Sequence, residues 1–267
     1  MKTLRVFAVV LYTFIYLPLI VVIAESFNAS PFAAGWAGWT FHWYRAVLHN
    51  PSALSAVKIT FWLALSSTAI ATLFGTLLGY GLARHPFRGQ KLFERLMLVP
   101  ISVPDIVMAV SLLLFYALVR SFTGFLHLGF ATMLLAHVTF QIPFVALIVR
   151  ARTRGFDPIM EEAAYDLGAS PWQRLWHVTF PLMRPGILAG ALLALTLSLD
   201  DFVVSFFTSG PGTSTVPIYI YGSVKRGVTA EIHALASLLI FAAILVTVAL
   251  QFLPTRQEVR PGDSPER

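Results

Sequence analysis

Three carboxylates lie inside stretches that are otherwise apolar. Asp105 sits in Ser102-Val103-Pro104-Asp105-Ile106-Val107-Met108, and the adjacent pair Asp200 and Asp201 closes Leu197-Ser198-Leu199-Asp200-Asp201. An aspartate deep in hydrocarbon costs about 2.5–3.5 kcal/mol on insertion scales, so each needs a partner or a task. One task is to attract a cation: in a low-dielectric passage each carboxylate–ammonium pairing strengthens, and a solute with several ammonium groups is attracted at several points. Another is a proton relay, as in a proton-coupled secondary transporter. The structural alternatives are equally concrete. Asp105 follows Pro104, where a helix interrupted by Pro100 and Pro104 would restart, and an N-cap role would satisfy its charge. Asp200 and Asp201 would stand about 100° apart on a helix, so one can face a pathway while the other makes an ion pair or cap. Tyr219 and Tyr221 can add cation–π contact. So can Trp36, Trp39, Trp43 and Tyr44, although Trp and Tyr also form the interfacial belts of membrane proteins generally.

Covalent and metal chemistry find little to work with. No GxxxxGK[ST], HExxH or GxSxG occurs, so a P-loop nucleotide site, a zincin and a hydrolase elbow are all excluded. The seven histidines, His42, His49, His85, His127, His137, His177 and His233, show no ligand spacing, and read as loop or interface residues with no metal site. The absence of cysteine removes disulfides, thiolate metal ligands and thiol catalysis. An intramembrane enzyme would need a nucleophile and base that this pattern does not supply.

The elements that must carry the aspartates are membrane helices. The 267 residues are 57% hydrophobic and 12% charged, well outside the soluble range. Apolar runs near 4–26, 54–83, 96–119, 130–150, 186–209 and 232–253 each approach the roughly 20 residues that cross a bilayer. Backbone polar groups in lipid must bond internally, so the chain reads as an all-α polytopic membrane protein of six transmembrane helices, one domain over 1–267. The first run is longer than a signal-peptide core and is expected to stay as an anchor. Fourteen Lys and Arg fall at the two ends and in the second and fourth connections, against five in the others. The positive-inside rule then places both termini and the fourth connection in the cytoplasm. The net charge of +6 belongs to that rim, and a nucleic-acid partner is not expected. Gly75 and Gly79 form a GxxxG pair suited to close helix packing.

The fourth connection, 151–185, is too patterned for a plain loop. Asp157 can cap a helix with Pro158 at its first position, Glu161 and Glu162 complement the dipole of the first turn, and Gly168 can end it. Ser170-Pro171-Trp172-Gln173 is a second start of capping-box type, which Pro181 and Pro185 would end. Two short helices are expected, about 157–167 and 171–179. The first carries a shallow patch of Ala163, Ala164 and Gly168 between Met160 and Leu167, suited either to a partner's groove or to the lipid surface.

Glu162-Ala163-Ala164, three residues, Gly168, nine residues and Val178-Thr179-Phe180-Pro181 resemble the EAA loop of ABC-importer permeases, E-A-A-x3-G-x9-I-x-L-P. The departures are Val178 for Ile and Phe180 for Leu, both apolar. The resemblance implies the type I ABC-importer permease fold and a bacterial inner-membrane location. It implies that Glu161, Glu162, Ala163, Ala164, Leu167, Gly168 and Pro181 form the coupling surface for a separate P-loop ATPase. That subunit, in two copies, would bind ATP and magnesium, leaving this chain without a cofactor or enzymatic activity of its own. A second permease subunit, making a heterodimer, and a periplasmic solute-binding protein complete the implied assembly. The aspartate motifs, Thr208 to Pro217 and Ile220-Tyr221-Gly222-Ser223-Val224-Lys225-Arg226-Gly227-Val228 resemble the spermidine/putrescine permeases of that family. This implies a polyamine pathway with Asp105, Asp200, Asp201, Tyr219 and Tyr221 as its candidate residues. Permeases of the same family for sulfate, ferric ion or an opine-like cation remain the alternative, adjacent aspartates arguing mildly against anionic cargo.

Overall fold

The computed structural model describes residues 2–32, 35–156 and 159–251, and every regular element among them is helical apart from an isolated bridge between Asn28 and Trp39. In chain order the helices are α1 (Lys2–Glu25), α2 (His42–His49), α3 (Pro51–Arg84), α4 (Gln90–Ser102), α5 (Asp105–Thr123), α6 (Phe130–Arg154), α7 (Ile159–Asp166), α8 (Pro171–Arg174), α9 (Phe180–Leu199), α10 (Val203–Thr208), α11 (Val216–Arg226) and α12 (Ala230–Gln251). A π turn, Leu175–Thr179, joins α8 to α9. Five of these stretches are long and apolar enough to cross a membrane: Thr3–Glu25, Pro51–Arg84, Asp105–Thr123, Phe130–Arg154 and the continuous Pro171–Leu199. Ala230–Leu245 is a shorter apolar helix.

Two details of the helix breaks differ from expectation. Pro100 does not interrupt a helix but lies inside α4; the break falls at Val103, which is extended (φ −79°, ψ 133°) as the residue before a proline tends to be. Pro104 is then the N-cap of α5, its carbonyl accepting the N–H groups of Val107 and Met108 at 2.9 and 3.2 Å. Asp105 is therefore the first helical residue and not the cap, and its side chain makes no capping bond.

Pro181 and Pro185 likewise do not end the second helix of the hairpin; helix continues through both into α9. A proline in an ordinary α turn strikes the carbonyl four residues back and cannot donate. Here the N–H of Phe180 bonds to Leu175 O, five residues back, and this widened turn makes room for the Pro181 ring.

The chain forms two compact units, one from the described residues of Met1–Asn50 and Ser223–Arg267, the other Pro51–Gly222. In the second unit α3, α6 and α9 make the core. A Cβ on Gly75 would lie 2.6 Å from Val145 Cβ, and one on Gly79 2.6 Å from the carbonyl oxygen of Ala146, so the glycines let α3 and α6 touch backbone to backbone. Val145, Val149, Met183 and Ala194 are buried together where α6 meets α9, while Ala109, Tyr116, Ala136 and Val204 join α5, α6 and α10.

The first unit is organised around Asn28, wholly buried, whose side-chain oxygen accepts from Ser30 and Ala37 N–H and whose amide donates to Glu25 and Gly35. Trp43 donates its indole N–H to Asn28 O at 2.8 Å, and Tyr44 hydrogen-bonds Ser26 at 2.6 Å. These two aromatics therefore hold the loop, whereas Trp36 and Trp39 stay exposed.

Candidate functional site

The adjacent aspartates do not share a helix. α9 ends at Leu199, Asp200 is its C-cap, and α10 begins at Val203, leaving Asp201 at the break. Serine and threonine stop competing with a helix once they sit at its ends, and Ser198 and Ser205 flank this gap. Asp201 Oδ1 accepts the Val204 N–H at 3.2 Å and Oδ2 the Ser205 N–H at 2.7 Å, two of the donors that an α-helix leaves free at its start. His137 Nε2 stands 3.3 Å from the same Oδ2, with side-chain exposures of 0% for the histidine and 9% for the aspartate. The imidazole also reaches Ser198 Oγ from Nδ1 at 2.7 Å and Ser205 Oγ from Nε2 at 2.9 Å. Beyond it the network runs through Ser67, 3.2 Å from Ser198, to Gln141, whose amide donates to Ser67 at 3.3 Å and to Ala194 O at 3.1 Å.

The histidine expected in a loop or at an interface is thus a fully buried member of α6. Sequence reasoning sought ligand spacing among histidines and passed over it. The signal that would have found it is the one that flagged the aspartates, an ionisable side chain within an apolar run.

Asp200, in contrast, is exposed, and with Asp105 it lines a cavity of about 300 Å³. The wall also includes Asp201, Phe140, Phe144 and Phe202, and no basic side chain contributes to it. The break in α9–α10 and the break before α5 therefore deliver two carboxylates from distant positions to one hollow. Tyr219 and Tyr221 are not brought there. Tyr221, on α11, packs its ring 4.8 Å from that of Phe202 and so backs a wall residue, while Tyr219 is half-buried on the same helix.

At the hairpin, α7 buries none of its residues and Leu167 is 89% exposed. Asp157 and Pro158, expected to start this helix, lie outside the described residues. Gly168 has φ +81°, and the bonds Ala169 N–H to Ala164 O (3.0 Å) and Gly168 N–H to Tyr165 O (2.9 Å) make a Schellman stop. The second start is the expected capping box: Ser170 N–H donates to Gln173 Oε1 at 2.8 Å and Gln173 N–H to Ser170 Oγ at 3.3 Å. Glu161 is anchored, accepting from Arg84 at 3.2 Å and from Thr179 in the π turn at 2.9 Å. Glu162, Tyr165 and Arg174 shape a shallow hollow beside it, the guanidinium lying 5.2 Å over the tyrosine ring. Ala163 is exposed, Ala164 half-exposed, and Pro181 half-buried beyond the π turn. On α4, Glu94 pairs with Arg150 of α6, and that hydrogen bond, helped by the Gln90 amide, holds its carboxyl below the usual range.

Residues 71–259 match the family described as "Binding-protein-dependent transport system inner membrane component". The chain belongs to that family. Over 247 residues, 92% of either chain, this inner-membrane component is 40% identical to "Spermidine/putrescine transport system permease protein PotC" of Escherichia coli (strain K12). It is 39% identical over 249 residues to "Putrescine transport system permease protein PotI" of the same strain, covering 92% of this chain and 89% of that one. Its fold is that of the permease in a crystal structure of a bacterial ABC transporter involved in the import of the acidic polysaccharide alginate. There the TM-score is 0.70 over 95% of this chain and 96% of that chain, at 17% identity, a likeness of fold alone. The expected all-α permease fold and family therefore hold, and the chain is a transport subunit rather than an enzyme. Permeases of ABC importers work with a partner permease, an ATPase and a periplasmic binding protein.

Proposed function

We propose that this permease subunit passes spermidine or putrescine across the inner membrane, and that Asp105 and Asp200 form the station at which the solute's ammonium groups are held. The observation that carries the reading is the cavity itself: acidic side chains and phenylalanine rings without one basic group among its lining residues. Carboxylates favour a cation there, and ring faces add cation–π attraction without binding it too tightly to leave. The relatives' printed names supply the cargo class. Tyr221, behind Phe202, supports that wall rather than meeting the solute.

In this reading six segments span the membrane as one permease domain with both termini in the cytoplasm, and 151–185 is the coupling loop. A second, different permease closes the pathway, two copies of a P-loop ATPase bind ATP and magnesium, and a periplasmic protein delivers the solute. The exposed face of α7, from Glu162 and Ala163 to Leu167 and Gly168, docks in the ATPase. Glu161 and Pro181 keep that face in register with α9.

The test is uptake of labelled spermidine and putrescine by the complete complex reconstituted in vesicles. ATP-dependent uptake that survives an uncoupler is expected. Uptake that collapses with the uncoupler, or a preference for an anionic solute, would overturn the reading. Separately, Ala163→Cys or Ala164→Cys should cross-link to the ATPase subunit; capture of lipid alone would remove α7 from the coupling path.

A further inference from the structure

We propose that His137 is a positioning residue for the acidic cavity: its ring braces the α9–α10 break and so fixes where Asp200 presents its carboxylate. This rests on the reading that Asp200 and Asp105 attract the solute. His137 itself is not among the cavity's lining residues and is wholly buried, so it acts through the break and not on the cargo.

The bracing is unusually complete. One imidazole holds Ser198 in the last turn of α9, Ser205 in the first turn of α10 and Asp201 between them. It projects from α6, which Gly75 and Gly79 bring against α3. A carboxylate already accepting two backbone N–H groups can only accept again, so the ring's proton belongs on Nε2. Nδ1 then accepts from the Ser198 hydroxyl, Ser67 accepts from the Gln141 amide, and the Ser67 hydrogen is shared between Ser198 Oγ at 3.2 Å and Ala64 O at 3.4 Å. The chain of donors then has a single sense from Gln141 to Asp201. An apolar side chain would fill the same space; only the ties across the break call for an imidazole.

The beneficiary is the next residue along. Asp200 donates its backbone N–H to Thr196 O at 3.3 Å, and the hydrogen bond its carboxylate receives comes from that same N–H, within the residue itself. Its position is therefore inherited from the cap on one side and from Asp201 on the other. Loosening the brace lets the α9 terminus turn, and Asp200 with it, while the charge itself is untouched.

The chain contains no cysteine, so Met108→Cys puts a single thiol of this subunit into the cavity wall of the assembled complex. The measurement is the ratio of its modification rates by a cationic and a neutral methanethiosulfonate reagent. Changes in access affect both rates and cancel, leaving the local potential. Asp200→Asn should lower the ratio by about threefold to tenfold. His137→Leu should lower it comparably although it removes no negative charge, whereas loss of a positive imidazole would raise it. His137→Gln, which keeps one donor and one acceptor, should return the ratio to within about twofold of the parent, and Ser198→Ala and Ser205→Ala should each give a partial fall. If His137→Leu does not co-purify with its partner subunits, the two serine variants decide by the same ratio. An unchanged ratio in the His137 or serine variants, with Asp200→Asn lowering it, overturns the positioning role. An unchanged ratio in Asp200→Asn overturns the cavity reading and takes this inference with it.

Discussion

Glu161 and Glu162 on α7, and Asp200 and Asp201 at the α9–α10 break, are both adjacent acidic pairs in which one carboxylate is tied down and its neighbour is exposed. The ties differ in kind. Glu161 is held by the flexible arm of Arg84 and by the Thr179 hydroxyl, with a fifth to a quarter of the paired side chains still exposed. Pairs of that sort are worth about 0–1 kcal/mol and can break and re-form as elements move. Asp201 is held by two backbone N–H groups and a fully buried imidazole, where loss of one partner strands the others without solvent. Under the proposed function, the hairpin that moves carries the loose version, and the station that keeps its geometry carries the rigid one.

That contrast can be broken most directly at Asp201. Asp201→Ala should destabilise the purified complex by about 3–5 kcal/mol, read from chemical or thermal unfolding, because it uncaps α10 and strands His137. A loss below about 1 kcal/mol would make the two anchors equivalent and end the comparison. Asp200→Asn should instead leave the unfolding midpoint where it was and cut spermidine uptake by about tenfold, the factor given by ~1.4 kcal/mol of lost cation pairing. Glu161→Gln should shift stability by no more than about 1 kcal/mol, yet uncouple ATP hydrolysis from arrival of the loaded binding protein. An ATPase rate that still follows the binding protein would show that the loose anchor is dispensable.

The smallest effect extends the comparison to Glu94. Its carboxyl is held low chiefly by the Arg150 hydrogen bond, so its folded value lies beneath its unfolded one. The pair's contribution is then complete above the ordinary glutamate range of about 4.3 and is lost as pH falls through the lower, folded value. Glu94→Gln should flatten the acid side of the unfolding midpoint measured against pH, and an unaltered acid slope would show that the Glu94–Arg150 pair adds nothing to stability.

Where one residue's backbone preference decides the outcome, the sequence was enough. Gly168 ends α7 at positive φ, Ser170 and Gln173 close their box, and Gly75 and Gly79 admit α6 against α3. Proline misled twice. Pro104 itself took the N-cap from Asp105, and a π turn absorbed Pro181. The brace at the break was invisible for another reason. His137 meets Ser198 and Ser205 across 61 and 68 residues of chain, and no local period relates them. The acids of the cavity could be marked as anomalous in their apolar runs, but which of Asp200 and Asp201 would be tied depended on where α9 stopped.

The π turn has a mechanical corollary. Pro171–Leu199 is a single shaft of 29 residues, about 43 Å long at ordinary helical rise, with Trp172 near one end and Asp200 just past the other. Tightening its one slack turn to α pairing would spin everything beyond by roughly one residue's angle, about 100°, and swing the terminal acid out of its hollow. The pyrrolidine of Pro181, which would collide with the His177 carbonyl in the tighter turn, acts as a pawl against that rotation.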